Sequence, residues 1–319
     1  MKTETLDWLA KNPFYTKRFA FYVGRRCRVA PIKDVARELA LDWHTVKELE
    51  KQYMEAQLKK AGNPVARAIG IDEISIRKGH TYRIVVSDLE RKRPIWFGGV
   101  DRSEASMDTF YAGLGPERSG QIGLAVMDMW KAFRISTLKA DHAPYASILY
   151  DKFHVMRHLG KALDDVRKSE YARLNGESRS YIKGQKYMLL SNRENLTLSG
   201  RKSLKRLLGA NRRLNTAYLL KETFGQLWDY KSESWARKFF DNWKSSLKWQ
   251  RLPSYEKFAR MVERNWDGIA AYCRPENKVS LGFVEGLNNK IRVIQRRAYG
   301  IRDEEYLRLK ILTCMLPEL

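Results

Sequence analysis

Near Arg67 the sequence changes period, and that change limits the folds open to the chain. Up to about Lys60 the apolar residues recur at helical spacing; Ala61, Gly62, Asn63 and Pro64 then break the pattern. Three short β-rich runs follow, Ala68 to Ile76, Thr81 to Leu89 and Pro94 to Val100. Turn material at Lys78 and Gly79, and at Glu90, Arg91 and Lys92, separates them, so the spacing predicts three antiparallel strands. Glu104 to Leu114 reads as a helix, Ile122 to Asp128 as a buried strand and Ala146 to Tyr150 as another short one. That order gives an α/β chain, a mixed sheet flanked by helices. Beyond Val155 the signal is helical almost to the end, with Gly176, Gly184, Gly200, Gly209 and Pro253 as interruptions.

Within the N-terminal stretch, Ile32 to Met54 divides into two helices around a sharp turn at Ala40 and Leu41. Val35, Ala36 and Leu39 form one apolar face, and Val46, Leu49 and Tyr53 the other, with Asp42 placed to cap the second helix. This is a helix-turn-helix pattern. Trp43, His44, Lys47 and Lys51 are expected outward on the second helix, where a major groove and its phosphates would be read. The charge agrees: 60 Lys and Arg against 37 Asp and Glu leave a net charge of +23, a field that attracts polyanions. Arg201, Lys202, Lys205, Arg206, Arg212 and Arg213 alternate with leucines as one basic amphipathic helix. Trp228, Trp235, Trp243 and Trp249 after it read mostly as the core of a helical subdomain. The expected partner is double-stranded DNA and not a membrane, because no apolar run is long enough to span one. The start lacks the zones of a secretory signal, so a cytoplasmic, nucleoid-associated protein is expected. Cys27, Cys273 and Cys314 are too scattered for a zinc site or a disulfide framework.

Three carboxylates carry the candidate chemistry. Asp72 sits mid-strand among Ile71, Glu73 and Ile74, where a charge needs a reason that a metal would supply. Asp128 ends the apolar run Leu124 to Met127 and should project from a strand's carboxyl end. Val284 to Tyr299 reads as a helix with Val284, Leu287, Ile291 and Ile294 on its apolar stripe and Glu285, Asn288, Asn289, Arg292 and Arg296 opposite. Each acid alone would read as a turn cap or a solvated residue. Together they suit two Mg2+ ions, with Mn2+ as a substitute, since such ions take oxygen ligands and complete their shells with water and substrate phosphate. Two ions roughly 4 Å apart can activate a water or a DNA 3'-hydroxyl and stabilise the leaving oxygen.

The segments GIDEISIRKGHTYRIVVSDL, AVMDMW, DKFHVMRHLGKALD and FVEGLNNKIRVIQRRAYGIRDEEYLRLKIL resemble insertion-sequence transposases of the ISL-three family, a bacterial DDE group, from about Lys17 onward. The resemblance implies an RNase H-like catalytic fold with a helical insertion before the last catalytic helix. It implies 1–60 as a helix-turn-helix region, 61–155 as the first part of the core, 156–279 as the insertion and 280–319 as the final helices. Asp72, Asp128 and Glu285 match the family's catalytic, metal-binding acids. Asp151 and His154 match an Asp-x-x-His signature with a supporting role near metal or DNA. His154 with His158 would otherwise read as surface or packing, two ligands being too few for zinc. Lys290, Arg292, Arg296 and Arg297 are candidate phosphate contacts. The implied function is Mg2+-dependent cleavage and strand transfer at the element's terminal inverted repeats, by a homo-oligomer on DNA that also engages target DNA. Rival readings are a non-catalytic DNA-binding repressor and another RNase H-like nuclease. Family members usually carry a Cys-rich zinc ribbon ahead of the helix-turn-helix; no cysteine precedes Cys27, so a shortened member or a truncated reading frame is expected.

Overall fold

A computed structural model of the chain describes residues 6–77, 81–173, 182, 184–191, 193–277, 279, 282–298 and 300–319. In chain order its elements are α1 (Lys17–Val29), α2 (Ile32–Glu38), α3 (Trp43–Ala61), β1 (Ala68–Arg77), β2 (Thr81–Asp88), β3 (Arg93–Gly98), α4 (Glu104–Leu114), α5 (Pro116–Ser119), β4 (Leu124–Met127), α6 (Lys131–Thr137) and β5 (Ser147–Tyr150). They continue as α7 (Lys152–Arg173), α8 (Lys186–Leu190), α9 (Leu198–Ala210), α10 (Arg212–Gly225), α11 (Glu233–Ser246), α12 (Pro253–Arg264), α13 (Trp266–Ala270), α14 (Gly282–Arg297) and α15 (Glu304–Thr313). The expected turn at Lys78 and Gly79 and the break at Gly176 lie outside the described residues. No helix among the described residues is long and apolar enough to cross a membrane. The chain divides into two compact units, one of Met1–Val126, Trp130–Ala146 and Val279–Leu319, the other of Met127–Met129 and Ser147–Lys278.

In the first unit, α2 ends where Ala40 takes a positive φ of 52°, which lets the Leu41 amide reach back to the Ala36 carbonyl at 2.9 Å. Asp42 then caps α3, its Oδ1 accepting from the His44 amide at 2.8 Å. Val35, Ala36, Val46 and Leu49 close over Ala20, Val23 and Cys27 of α1 in one apolar cluster. The helix-turn-helix is also tied to the last residues of the chain. Glu50, buried on α3, accepts from the Lys310 ammonium at 2.5 Å and from the Tyr306 hydroxyl. Gln57 donates to the Pro317 carbonyl at 2.7 Å and Arg28 to that of Leu316 at 2.8 Å.

Five strands form one mixed sheet in the order β3-β2-β1-β4-β5. Strands β1, β2 and β3 are antiparallel neighbours with Asp72 opposite Val85 and Val85 opposite Phe97. Side chains alternate across a sheet, so Asp72, Val85 and Phe97 form a row on one face. Ile74, Val85 and Phe97 pack there against Leu287 and Ile291 of α14 and Leu307 and Ile311 of α15. On the other face Trp96 meets Phe110 of α4, ring centroids 5.7 Å apart. This sheet, flanked by helices, is an RNase H-like fold.

The second unit is mostly helical. Phe224 of α10, Phe240 and Trp243 of α11 and Tyr255 and Phe258 of α12 form its aromatic core. The tryptophans expected together divide: Trp228 and Trp243 are buried, whereas Trp235 and Trp249 are exposed. The basic amphipathic stretch is two helices rather than one, because Asn211 ends α9 and caps α10, its Oδ1 accepting from the Leu214 amide at 2.9 Å. Gly200 and Gly209 lie inside α9 instead of interrupting it, while Pro253 opens α12 at a position where its missing N–H is harmless.

Candidate active site

Asp72 shares its face of β1 with Gly70 and Ile74, and α14 covers that face. A Cβ on Gly70 would stand 2.8 Å from Val284 Cγ2 and 2.9 Å from Leu89 Cδ2, so the absent side chain is what admits the helix. One turn further on, the Asn288 amide donates to Asp72 Oδ2. Asp72 Oδ1 accepts from the Glu73 amide at 2.8 Å. Four residues of helix rise about 6 Å and two of strand about 6.7 Å, so the two contacts are in step and α14 runs alongside β1 in the same sense. Glu285 follows Val284 and precedes Asn288 by one turn. It therefore rides on the exposed flank of α14 at the level of Gly70 to Asp72.

Asp128 follows β4, the neighbour of β1 in the sheet. Its Oδ1 accepts from the Met129 amide at 2.6 Å, and its Oδ2 lies 3.3 Å from Nδ1 of His154. Burial pushes the Asp128 carboxyl up, but the His154 imidazole and the Met129 amide outweigh it and hold the group below the usual carboxylate range. Asp151 ties the end of β5 to that of β4, its amide donating to the Met127 carbonyl at 3.0 Å, and opens α7, its Oδ1 accepting from the Phe153 amide at 2.9 Å. His154 is thus half-buried against the Asp128 carboxylate.

The four basic residues of α14 separate into two pairs. At about 100° per residue, Arg292 and Arg296 continue the Glu285 flank, while Lys290 and Arg297 face another way. Lys290 and Arg297 line, with Arg28 and Lys47, a cavity of about 1190 Å3 between α1–α3 and α14–α15, and Arg297 donates to the Arg28 carbonyl at 2.9 Å. On α3, Trp43 and His44 are exposed, their rings tilted at 45° with centroids 3.6 Å apart. Lys47 and Lys51 differ from their expected outward placement and are half-buried. Lys47 reaches Asp303 Oδ2 at 2.6 Å and lies over the Tyr306 ring, because this side of α3 packs on α15; Lys51 lies 3.7 Å from Glu48.

Two features escaped sequence reasoning. Asn288, expected on the polar side of α14, is buried; the available signal was its place one turn from both Val284 and Ile291, at the margin of the apolar stripe. Arg102 lies between the rings of Tyr82 and Trp130, 5.1 and 4.3 Å from their centroids, and 3.5 Å from Glu73. Nothing in the spacing of those four residues announces that cluster.

The carboxylates of Asp72 and Glu285 offer only oxygen donors, the kind that a hydrated Mg2+ takes in preference to zinc. Asn288 Oδ1, buried with no hydrogen-bond partner, is a further acceptor beside Asp72. Among the described residues no three His, Cys, Asp or Glu side chains are grouped as a metal ion would need.

Comparison with known proteins gives the chain a family. The family model described as "Transposase", the DDE domain of the ISL3 group, matches residues 69–311, a span that contains Asp72, Asp128 and Glu285. The helix-turn-helix domain of transposase family ISL3 matches residues 4–54. The chain is 34% identical over 313 residues to the transposase for insertion sequence element IS1001 of Bordetella parapertussis, covering 97% of this chain and 76% of that protein. It is 30% identical over 264 residues to the transposase for insertion sequence element IS1557 of Mycobacterium tuberculosis, covering 76% of this chain and 58% of that protein. With its sheet, its helix-turn-helix and both family matches in agreement, the chain belongs to the ISL3 family of insertion-sequence transposases.

Proposed function

We propose that this transposase cleaves DNA at the terminal inverted repeats of its element and joins the freed ends to target DNA, using Asp72, Asp128 and Glu285 to hold two divalent ions. The observation that carries the reading is the seating of α14 on β1: Gly70 admits Val284, Asn288 binds Asp72, and Glu285 is carried to the same level. Asp128 follows the adjacent strand. In cleavage, water forms a new P–O bond at the scissile phosphate and the 3'-oxygen departs, taking a proton to become a 3'-hydroxyl. In joining, that hydroxyl attacks a target phosphate; one P–O bond forms and one breaks, so no outside energy source is required. The ions, when bound, supply Lewis-acid activation of the attacking oxygen and charge stabilisation of the leaving one. The protein's part is to orient them: His154 holds Asp128, Asn288 holds Asp72, and Arg292 and Arg296 on the Glu285 flank engage flanking phosphates.

Trp43 and His44 on α3 are the proposed groove-reading residues, with Lys47 and Lys51 as backbone contacts where DNA displaces their present partners. Lys290 and Arg297 offer phosphate contacts on the cavity side, and Asp151 supports Asp128 by fixing the start of α7. Two ends must be processed together, so the active species on DNA is a homo-oligomer. The test is Mg2+-dependent nicking of end-containing DNA by Asp72→Ala, Asp128→Ala and Glu285→Ala. Each variant is expected to lose cleavage while still shifting end DNA in a gel; cleavage surviving in the triple variant would put the active site elsewhere.

A further inference from the structure

Asn288 stands out among the polar residues of α14. It is 8% exposed, 216 positions from Asp72 in sequence, and its side chain donates to Asp72 Oδ2. The amide orientation follows from chemistry: a carboxylate only accepts, so turning the amide over would set two oxygens against each other. The donor is therefore Nδ2, and Oδ1 is the atom left buried without a hydrogen-bond partner. Such an atom is expensive to bury. A helix needing only to cover the sheet would carry an apolar side chain there, as it does at Val284, Leu287 and Ile291.

We propose that Asn288 is a positioning residue for the cation site: its Nδ2 fixes the orientation of the Asp72 carboxylate, and its Oδ1 accepts from a water of the hydrated divalent ion. The inference rests on the proposed metal-dependent function and deepens it. Helix α14 then has two tasks, carrying Glu285 and setting the Asp72 carboxylate with Asn288, so that both acids depend on one seating of one helix. Gly70 sets how closely that seating brings the helix to the strand.

The full chain bound to end DNA is titrated with Mn2+ by calorimetry, comparing wild type with Asn288→Ala and with Asn288→Leu, which keeps most of the packing volume. Residues that orient metal ligands typically change metal affinity by about 10- to 100-fold. The expected result is at least a tenfold rise in Mn2+ Kd for both variants, unchanged gel-shift affinity for end DNA, and cleavage largely restored at saturating Mn2+. Glu285→Gln, by contrast, stays inactive at any Mn2+ concentration. Wild-type Mn2+ affinity in either folded variant would overturn the inference. So would a failure of both to fold, because Asn288 would then be a packing determinant. If the Asp72, Asp128 and Glu285 variants still cleave, the functional reading itself has failed; if they are inactive but the Asn288 variants bind Mn2+ normally, only this inference has.

Discussion

At the scale of single residues, the acids of this chain are held by partners distant in sequence. Asp72 is bound by Asn288 and Asp128 by His154, and each partner removes freedom that a carboxylate on a strand would otherwise keep. His154→Ala is expected to lower cleavage by about tenfold or more with end-DNA binding retained; a rate within twofold of wild type would deny His154 that role. The positions of Asp72 within a strand and of Asp128 at a strand's end were legible in the sequence from the apolar runs around them. Their partners were not. A histidine four residues from another suggests surface or packing, and an asparagine at the margin of an amphipathic stripe reads as solvated. Only the approach of β1 to α14 shows that Asn288 is buried.

At the scale of elements, two joints matter. The first is α14 on β1. Gly70→Ala forces a Cβ to 2.8 Å from Val284 and 2.9 Å from Leu89, which should destabilise by about 1–3 kcal/mol. Adding Val284→Ala should recover part of that loss, a coupling that urea unfolding of the double mutant measures; strictly additive losses would mean the two do not meet. The second joint is α3 on α15. Glu50→Ala leaves Lys310 without its buried partner and should lower stability by about 3 kcal/mol in the same experiment. Beside it, Lys47 hydrogen-bonds Asp303 and holds that carboxyl below its ordinary value. The contribution is therefore present above the ordinary carboxylate range near pH 4 and lost as pH falls through the depressed value. Asp303 is a third exposed, so its contribution stays under about 1 kcal/mol. Strands and helices were largely readable from period alone: β1, β2, α2 and α4 fall close to their expected limits, whereas α3 runs on to Ala61, past the expected end at Met54. The joints were not, since periodicity reports which face of a helix is apolar but not what that face meets.

At the scale of the whole molecule, the net charge of +23 and the helix-turn-helix set the expected behaviour toward DNA. Affinity for end DNA should fall linearly with salt on logarithmic axes, and Arg292→Ala or Arg296→Ala should each reduce the slope by about 1 if it contacts phosphate. An unchanged slope would remove that residue from the DNA path. The proposed chemistry stands on one shared cation site. Its most direct measurement is the anomalous scattering of Mn2+ in crystals of the transposase bound to its end DNA. Manganese peaks ligated by Asp72, Asp128 and Glu285 beside the scissile phosphate are expected; manganese bound at other carboxylates, with these three left unligated, would refute the shared site.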